Sequence, residues 1–259
     1  MIDNQTSTTP RVLLLGGTTQ ASAMAMRLTQ AGMDTVFSYA GRTAAPVEQP
    51  CPMRVGGFGG VAGLVEYLRA QGITHVVDAT HPFAAQMSAH AVAACAQVGV
   101  ALVALERPAW VAGAGDDWRG VADMAGAVSA LPDAPARVFL AIGRQNLALF
   151  AARGDLAYLL RLVDPPVAAL PLPDAHVVIA RGPFTVEGDI ALMREHGITH
   201  IVAKNAGGNG ASAKLAAARA LGLPVIMIER PSIPARSTCA TVEEVMDWLH
   251  AGVPAQRGV

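Results

Sequence analysis

Short unbroken apolar runs alternate along this chain with longer stretches in which apolar residues recur every three or four positions. In the first half, Val12–Leu15, Thr35–Tyr39, Met53–Val55, His75–Ala79 and Ala101–Leu105 predict strands, while Gln20–Gln30, Val61–Ala70 and Ala84–Gln97 predict helices. In the second half the predicted strands are Val138–Ile142, Leu159–Val163, Val177–Ala180, Ile201–Ala203 and Val225–Ile228. The helices there are Leu147–Ala152, Val186–Glu195, Ala213–Leu221 and Val242–His250. Runs of Val, Ile and Leu without polar alternation mark strands covered on both faces. Strands separated by helical stretches predict βαβ units and a parallel sheet.

The pattern is written twice. Gly72-Ile73-Thr74-His75-Val76-Val77 returns as Gly197-Ile198-Thr199-His200-Ile201-Val202, and each copy leads to a strand ending in Glu-Arg-Pro, at 106–108 and 229–231. Arg11–Gly16 matches Arg137–Gly143, and Pro-rich loops follow at 46–52 and 165–173. A period of half the chain reads as a duplicated unit. The expected fold is α/β: two doubly wound, Rossmann-like parallel-sheet domains related by duplication, with a cleft between them. The first domain is placed at residues 1–109 and the second at 118–259, with 110–117 (WVAGAGDD) as a linker.

Composition narrows the function classes. The 259 residues suit one large or two modest domains. With 19 Lys plus Arg against 20 Asp plus Glu, the formal charge of −1 argues against nucleic acid as a partner. Charged residues at 15% and apolar ones at 52% exclude disorder. The most apolar stretch, Ala89–Leu105, is broken by His90, Gln97 and Gly99, so it reads as a helix and a strand, not a membrane span. The first ten residues lack a basic start and an apolar run, so no signal peptide is expected. Cys51, Cys95 and Cys239 are too scattered for a disulfide framework or a zinc site, which points to a reducing cytoplasm.

Ligands of open parallel sheets lie beyond the carboxyl ends of the strands, where strand order reverses. Four loops qualify. Gly16-Gly17-Thr18-Thr19 joins a strand to a helix whose N-terminal N–H groups suit a pyrophosphate. The match to G-x-G-x-x-G is incomplete, and a plain tight turn is the other reading. Ser38-Tyr39-Ala40-Gly41-Arg42 lacks the acid that would accept both ribose hydroxyls of NAD; Ser38 and Arg42 suit a 2′-phosphate, favouring NADP(H), although Arg42 also reads as an ordinary loop cation. In Asp78-Ala79-Thr80-His81-Pro82-Phe83-Ala84, His81 reads as a contact to cofactor or substrate or as a scaffold residue, Asp78 orders the loop, and Pro82 starts the next helix. His75 and His200, at strand starts, read as structural. Lys204-Asn205-Ala206-Gly207-Gly208-Asn209-Gly210 sets an ammonium beside glycine N–H groups, as a carboxylate or phosphate site would, or is a flexible loop with a solvated lysine. Lys214, the one other lysine, reads as a surface residue. The second copy's first loop, Gly143-Arg144-Gln145-Asn146, has lost its glycine pair, so the copies divide the work: nucleotide in the first, anionic substrate in the second. G-x-S-x-G, the P-loop and H-E-x-x-H are absent, and carboxylates do not cluster as metal ligands would.

At these loops the chain resembles the precorrin-6A reductase family of cobalamin biosynthesis. The resemblance rests on Gly16-Gly17-Thr18, Ser38–Arg42, Asp78–Ala84 and Lys204-Asn205 with Gly207-Gly208, and spans about residues 10 to 250. Gln20 departs from the Glu frequent in the family. The resemblance implies NADPH-dependent reduction of a double bond in the precorrin-6A macrocycle to give precorrin-6B, by a cytoplasmic enzyme without metal or flavin. Neighbouring pathway enzymes are conceivable partners, and a cobalt-containing substrate is the alternative. It implies cofactor contacts from Gly16, Gly17, Thr18, Thr19, Ser38, Tyr39, Gly41, Arg42, Thr80, His81 and Pro82, with His81 and Lys204 as candidate catalytic groups. A polycarboxylate macrocycle needs cations, so Arg144, Arg181, Lys204 and Arg230 join Asn205, Gly207 and Gly208 as substrate-side candidates; for Arg107 and Arg230, each before a proline, a shared structural role is equally open. Short-chain reductases need Tyr-x-x-x-Lys, absent here. A non-catalytic two-domain binder of a small anion is the remaining alternative.

Overall fold

The computed structural model describes residues 10–41, 45–133 and 135–251. The first half forms β1 (Arg11–Leu15), α1 (Thr19–Gln30), β2 (Asp34–Tyr39), β3 (Met53–Val55), α2 (Gly60–Ala70), β4 (His75–Asp78), α3 (Ala85–Val98) and β5 (Ala101–Leu105). After β6 (Trp118–Val121) and α4 (Met124–Ser129), the second half repeats the series. It runs β7 (Arg137–Ala141), α5 (Leu147–Phe150), β8 (Ala157–Leu162), β9 (Ala175–Ile179), α6 (Val186–Glu195), β10 (His200–Lys204), α7 (Ala213–Leu221) and β11 (Val225–Ile228). Then come β12 (Ser237–Cys239) and α8 (Val242–His250).

The repeated Gly-Ile-Thr-His sequence does the same work in each half. Ile73 and Ile198 are buried and donate their N–H groups to Leu68 and Met193, closing the preceding helices. The hydroxyls of Thr74 and Thr199 accept from the N–H groups of Arg11 and Arg137, tying β4 to β1 and β10 to β7. His75 and His200 open β4 and β10, each with Nδ1 against the preceding threonine hydroxyl at 2.8 and 3.0 Å. Burial lowers the pKa of both rings. They are structural, as the sequence suggests.

Two parallel sheets of six strands result, ordered β12-β5-β4-β1-β2-β3 and β6-β11-β10-β7-β8-β9. Each is the doubly wound Rossmann arrangement, with strand order reversing between β1 and β4 and between β7 and β10. Alternate residues of the first sheet feed opposite layers: Val12, Leu14, Phe37 and Val77 pack with α1 and α8, and Leu13, Leu15 and Val76 with α2 and α3. In the second, Phe139, Ile201, Ala203 and Met227 pack with Met193 of α6 and Leu215 and Ala218 of α7.

The sixth strand of each sheet comes from the other half of the sequence. β12 pairs with β5, and β6 with β11, both in parallel. Residues 1–107 and 232–259 therefore make one compact unit and 108–231 the other. This corrects the expected division at 1–109 and 118–259. Ser237–Cys239 and Trp118–Val121 are too short and polar to show as apolar runs, and only pairing reveals their sheet. Trp110–Asp117 is likewise no linker. The Trp110 indole N–H donates to Gly208 O at 2.8 Å, and Asp116 pairs with Arg219 at 2.7 Å, both inside the second unit.

Because Val245, Met246 and Leu249 of α8 lie in the first unit's core at 0–4% exposure, Leu249→Ala should cost about 2–5 kcal/mol in urea unfolding. Hydrogen exchange should accelerate in residues 11–105 and stay unchanged in 118–228. Faster exchange confined to 118–228 would contradict this assignment.

Candidate functional site

In the first unit, the loops at the strand reversal are joined by one side chain. Thr18 is the N-cap of α1: its Oγ1 accepts from Ala21 N–H at 3.1 Å and donates to Ala79 O at 2.9 Å. One hydroxyl thus fixes both the start of α1 and the exit of β4. Gly17 sits at φ +118° with open space where a Cβ would lie, and Gly16 N–H donates to Ser38 O at 2.9 Å. A Cβ on Gly16 would come within 2.0 Å of the Phe37 ring, which is wholly buried. The helix N-terminus offers orphan N–H groups and a positive dipole end above this loop, with no acidic residue in its first turn. Thr19 is the first, exposed residue of α1. Its neighbour Gln20 accepts a charge-assisted hydrogen bond from Arg107 Nη1 at 3.1 Å.

At the end of β2, the Ser38 hydroxyl accepts from Arg54 Nη1 at 2.7 Å. Arg54 faces Ser38 in the β2–β3 register, bonds Gly56 O and Gly57 O, and lies flat over the Phe58 ring at 3.8 Å. Burial lowers its pKa, offset in part by Tyr67. This guanidinium was hidden from sequence reasoning because its strand is three residues long and only the register brings it to Ser38. Arg42 lies outside the described residues. Tyr39 turns away to donate to Val47 O at 2.8 Å, holding the 45–52 segment. Gly41 takes φ +76° after the strand.

At the end of β4, Asp78 is 3% exposed; its Oδ1 accepts from the Thr80 N–H at 3.2 Å and the Thr80 hydroxyl at 2.7 Å. Its Oδ2 is buried without a partner. Phe83 N–H donates to His81 Nδ1 at 3.2 Å, which leaves Nε2 to carry the proton of the neutral ring. Ala84 N–H closes a turn onto His81 O at 2.7 Å, so buried Pro82 occupies a turn corner. It does not begin the helix as expected; α3 starts at Ala85. The Cys95 thiol on α3 is pushed up to about 12 by burial and by Asp78.

The reversal point of the second unit is built differently. Ile142 replaces the first glycine, and Leu160 replaces the aromatic ring beneath it. Arg144 and Arg181 are exposed beyond β7 and β9. Lys204 ends β10, half-buried. The loop that follows is tied down and is not a flexible glycine segment. Asn205, 4% exposed, accepts from Trp110 N–H at 2.8 Å and donates to Trp110 O at 3.1 Å, so its amide ties the loop to Trp110. Arg230 donates to the carbonyls of Asn205 and Ala206, at 3.0 and 3.2 Å. A Cβ on Gly207 would meet Pro108 O at 2.1 Å, and Gly208 O receives the Trp110 indole. Lys214 is 6% exposed, which corrects the surface reading: it donates to Ala211 O and faces the Trp110 ring at 5.1 Å. Burial first, then Arg161, lowers its pKa to about 8, against a smaller opposing effect of Asp189. Arg161 and Asp189 form a buried ion pair behind it, with Arg161 stacked on Phe184 at 3.5 Å.

The chain matches the family model described as precorrin-6x reductase CbiJ/CobK over residues 11–250. It belongs to the precorrin-6x reductase family. Among its relatives, the precorrin-6A reductase of Rhodobacter capsulatus is 66% identical over 251 residues, covering 96% of this chain and 99% of that protein. The Mycobacterium tuberculosis precorrin-6A reductase is 42% identical, covering 95% and 99%. A cobalt-precorrin-6A reductase of Priestia megaterium is 30% identical, covering 92% and 97%. A solved structure titled CobK precorrin-6A reductase superposes with a TM-score of 0.92, covering 96% of this chain and all of that one. In this member of the precorrin-6x reductase family, no group of three or more His, Cys, Asp or Glu that could hold a metal occurs among the described residues, and no helix there is long and apolar enough to cross a membrane.

Two outcomes check these local arguments. Gly16→Ala should cost about 1–3 kcal/mol through its clash with Phe37, and Phe37→Leu should recover part of that loss, measured as a double-mutant cycle in urea. Lys214, whose pKa falls from 10.5 to about 8 on folding, binds its proton more weakly folded than unfolded. Stability of the unmodified chain therefore rises with pH between about 8 and 10.5, and the cost is fully present at pH 7. In Lys214→Met that rise should vanish, so its unfolding midpoint should compare best with the parent at pH 7 and fall behind as pH approaches 10.

Proposed function

We propose that this chain reduces a double bond of the precorrin-6A macrocycle with NADPH to give precorrin-6B, in the cytoplasm and in sequence with neighbouring pathway enzymes. The observation that carries the reading is family membership joined to a first-unit reversal point whose residues fit a phosphorylated dinucleotide. Gly17 leaves room for a pyrophosphate above the N-terminus of α1, which Thr18 holds in place, and Gly16 lets the strand end close over the Phe37 ring. Ser38 and Arg54 suit a 2′-phosphate, the stretch Ser38–Arg42 holding no acid to repel one. The metal-free substrate is preferred over its cobalt form because identity to precorrin-6A reductases reaches 66%, against 30% for the Priestia relative.

NADPH bound at that reversal point would supply a hydride to one carbon of the double bond, and a proton would complete the other. The chain's part is positioning: Thr80, His81 and Pro82 hold the dinucleotide's second half, the neutral His81 ring carrying its proton on Nε2. Arg144, Arg181, Lys204 and Arg230 answer the macrocycle's carboxylates, Lys204 beside a loop held rigid by Trp110 and Lys214.

Anaerobic incubation with NADPH and precorrin-6A should shift the pigment's absorbance as NADPH is consumed; an unchanged spectrum at stoichiometric enzyme would overturn the reading. Arg54→Ala should weaken NADPH by about 1.5–3 kcal/mol, about 10- to 150-fold in Kd, and leave NADH unaffected by calorimetry. Equal losses for both cofactors would remove the 2′-phosphate assignment.

A further inference from the structure

Three charged side chains stand in the interior of the second unit, where the first has Ser38, Leu64 and Ala91. Arg161 of β8 pairs with Asp189 of α6, and Lys214 of α7 is buried beside them. Arg161 and Asp189 are the charged groups that act on Lys214, so the cluster carries a net positive charge when all three are ionised. Burying such a charge costs stability. The fold does not require it, since uncharged residues fill the same positions in the first unit.

What the charge touches points to its use. The Lys214 ammonium donates to Ala211 O and lies 5.1 Å from the Trp110 ring centroid, within cation–π range. Leu215 N–H goes to Ser212 O at 2.9 Å, so α7 itself leaves Ala211 O to the lysine. Trp110 holds the opening of the same loop: its N–H donates to Asn205 Oδ1 and its indole N–H to Gly208 O, both at 2.8 Å. The loop is thus held at its start by Trp110 and at its end by Lys214, and one ammonium supports both anchors. Between them Gly207 and Gly208 take φ +69° and +70°, a left-handed path that glycine enters and leaves freely, so its shape is set by the two ends. Lys204, at the end of β10, is the residue from which this loop departs. A charged donor makes a hydrogen bond roughly twice as strong as a neutral one, so the hold on Ala211 O depends on the lysine's proton.

We propose that Lys214 is a positioning residue for the macrocyclic substrate: its ammonium, set between Ala211 O and the Trp110 ring, keeps the glycine loop in the form that sets Lys204 against a substrate carboxylate. This rests on the reading of the second unit as the substrate side and adds the group that holds that side in shape. Burial first, then Arg161, lowers the pKa of Lys214 to about 8, against the smaller opposing pull of Asp189. The proton is therefore held at pH 7 and lost toward pH 9, and the hold on the loop weakens across that window. By the same linkage, a substrate that prefers the ordered loop draws a proton onto Lys214 when it binds at about pH 8.5.

The test follows anaerobic steady-state kinetics with NADPH and precorrin-6A. In the parent, KM for precorrin-6A should rise at least about threefold from pH 7 to pH 9 while KM for NADPH holds. Lys214→Met should raise KM for precorrin-6A about tenfold at pH 7, leave kcat within about twofold of the parent, and flatten the pH profile of KM. Lys214→Arg, which stays charged throughout this window, should keep KM low at both ends of it. Calorimetry in two buffers of different ionisation enthalpy reads the proton directly, independently of how an arginine fits the site. At about pH 8.5 the parent should take up a proton on binding precorrin-6A, and Lys214→Met should not. A KM unchanged by Lys214→Met, a pH-dependent KM that survives in that variant, or a fall in kcat with KM unchanged would overturn the positioning role and leave the reductase reading intact. A parent chain that neither binds nor reduces precorrin-6A would instead remove the substrate-side reading, and the proposal with it.

Discussion

Backbone pairing at the outer edges of β5 and β11 is the constraint on which the rest of this structure depends. A buried parallel strand presents N–H and C=O groups that must find partners, and each half of the sequence runs out of strands one short of closing its own sheet. The Glu106 N–H donates to Cys239 O, and the Glu229 N–H to Val121 O, both at 2.8 Å. Glu-Arg-Pro ends each of these strands, and beyond it the chain enters the other unit. The exchange also carries a helix each way. Val245, Met246 and Leu249 complete the core over α1, while α4 packs on β11. Neither half of the sequence alone could bury the layer it leaves open, so two duplicated units fold as one chain.

Once duplicated, the two units diverged at the positions that decide what each reversal point can hold. Where the first has Gly16 above the Phe37 ring, the second has Ile142 and Leu160, so the aromatic ring fills the place that the Ile142 side chain takes in the other unit. Ser38, Leu64 and Ala91 correspond by register and by helix end to Arg161, Asp189 and Lys214. Three small or apolar core positions thus became a charged cluster. Burying such a cluster costs stability unless every partner is met, and Asp189 Oδ2 is not met. What the cluster provides is order. Lys214 holds Ala211 O while Trp110 holds Asn205 and Gly208, so a segment with three glycines has a fixed path next to Lys204.

Much of this was legible in the sequence because its signals were local. Continuous Val/Ile/Leu runs revealed ten of the strands, and the Gly-Ile-Thr-His repeat revealed the duplication, since each of its residues has a short-range task that both halves must perform. Gly16, Gly17 and Thr18 were visible for the same reason: a strand-to-helix turn advertises itself in four residues. What stayed hidden depends on pairing between distant segments. Trp118–Val121 and Ser237–Cys239 become strands only against partners already in place, so propensity alone could not reveal them. Arg54 meets Ser38 through register, and Arg236 meets Glu106 through the exchange. Lys214 looked like a surface residue because helical periodicity locates a face but not the Trp110 ring that covers it.

Two buried carboxylate oxygens without partners, Asp78 Oδ2 and Asp189 Oδ2, show why an orphaned atom needs its surroundings before it is read as function. Asp189 faces Arg161 directly, with Lys214 as a second cation acting alongside, and sits among core residues of α6 and β8. Its unmet lone pairs are electrostatically compensated, and the group reads as scaffold. Among the described residues no cation bonds to Asp78; Arg236 and Glu106, which line a recess with it, pair with each other. The two orphans therefore differ in surroundings: Asp189 is compensated by bonded charge, whereas Asp78 is held through its other oxygen by the Thr80 N–H and hydroxyl.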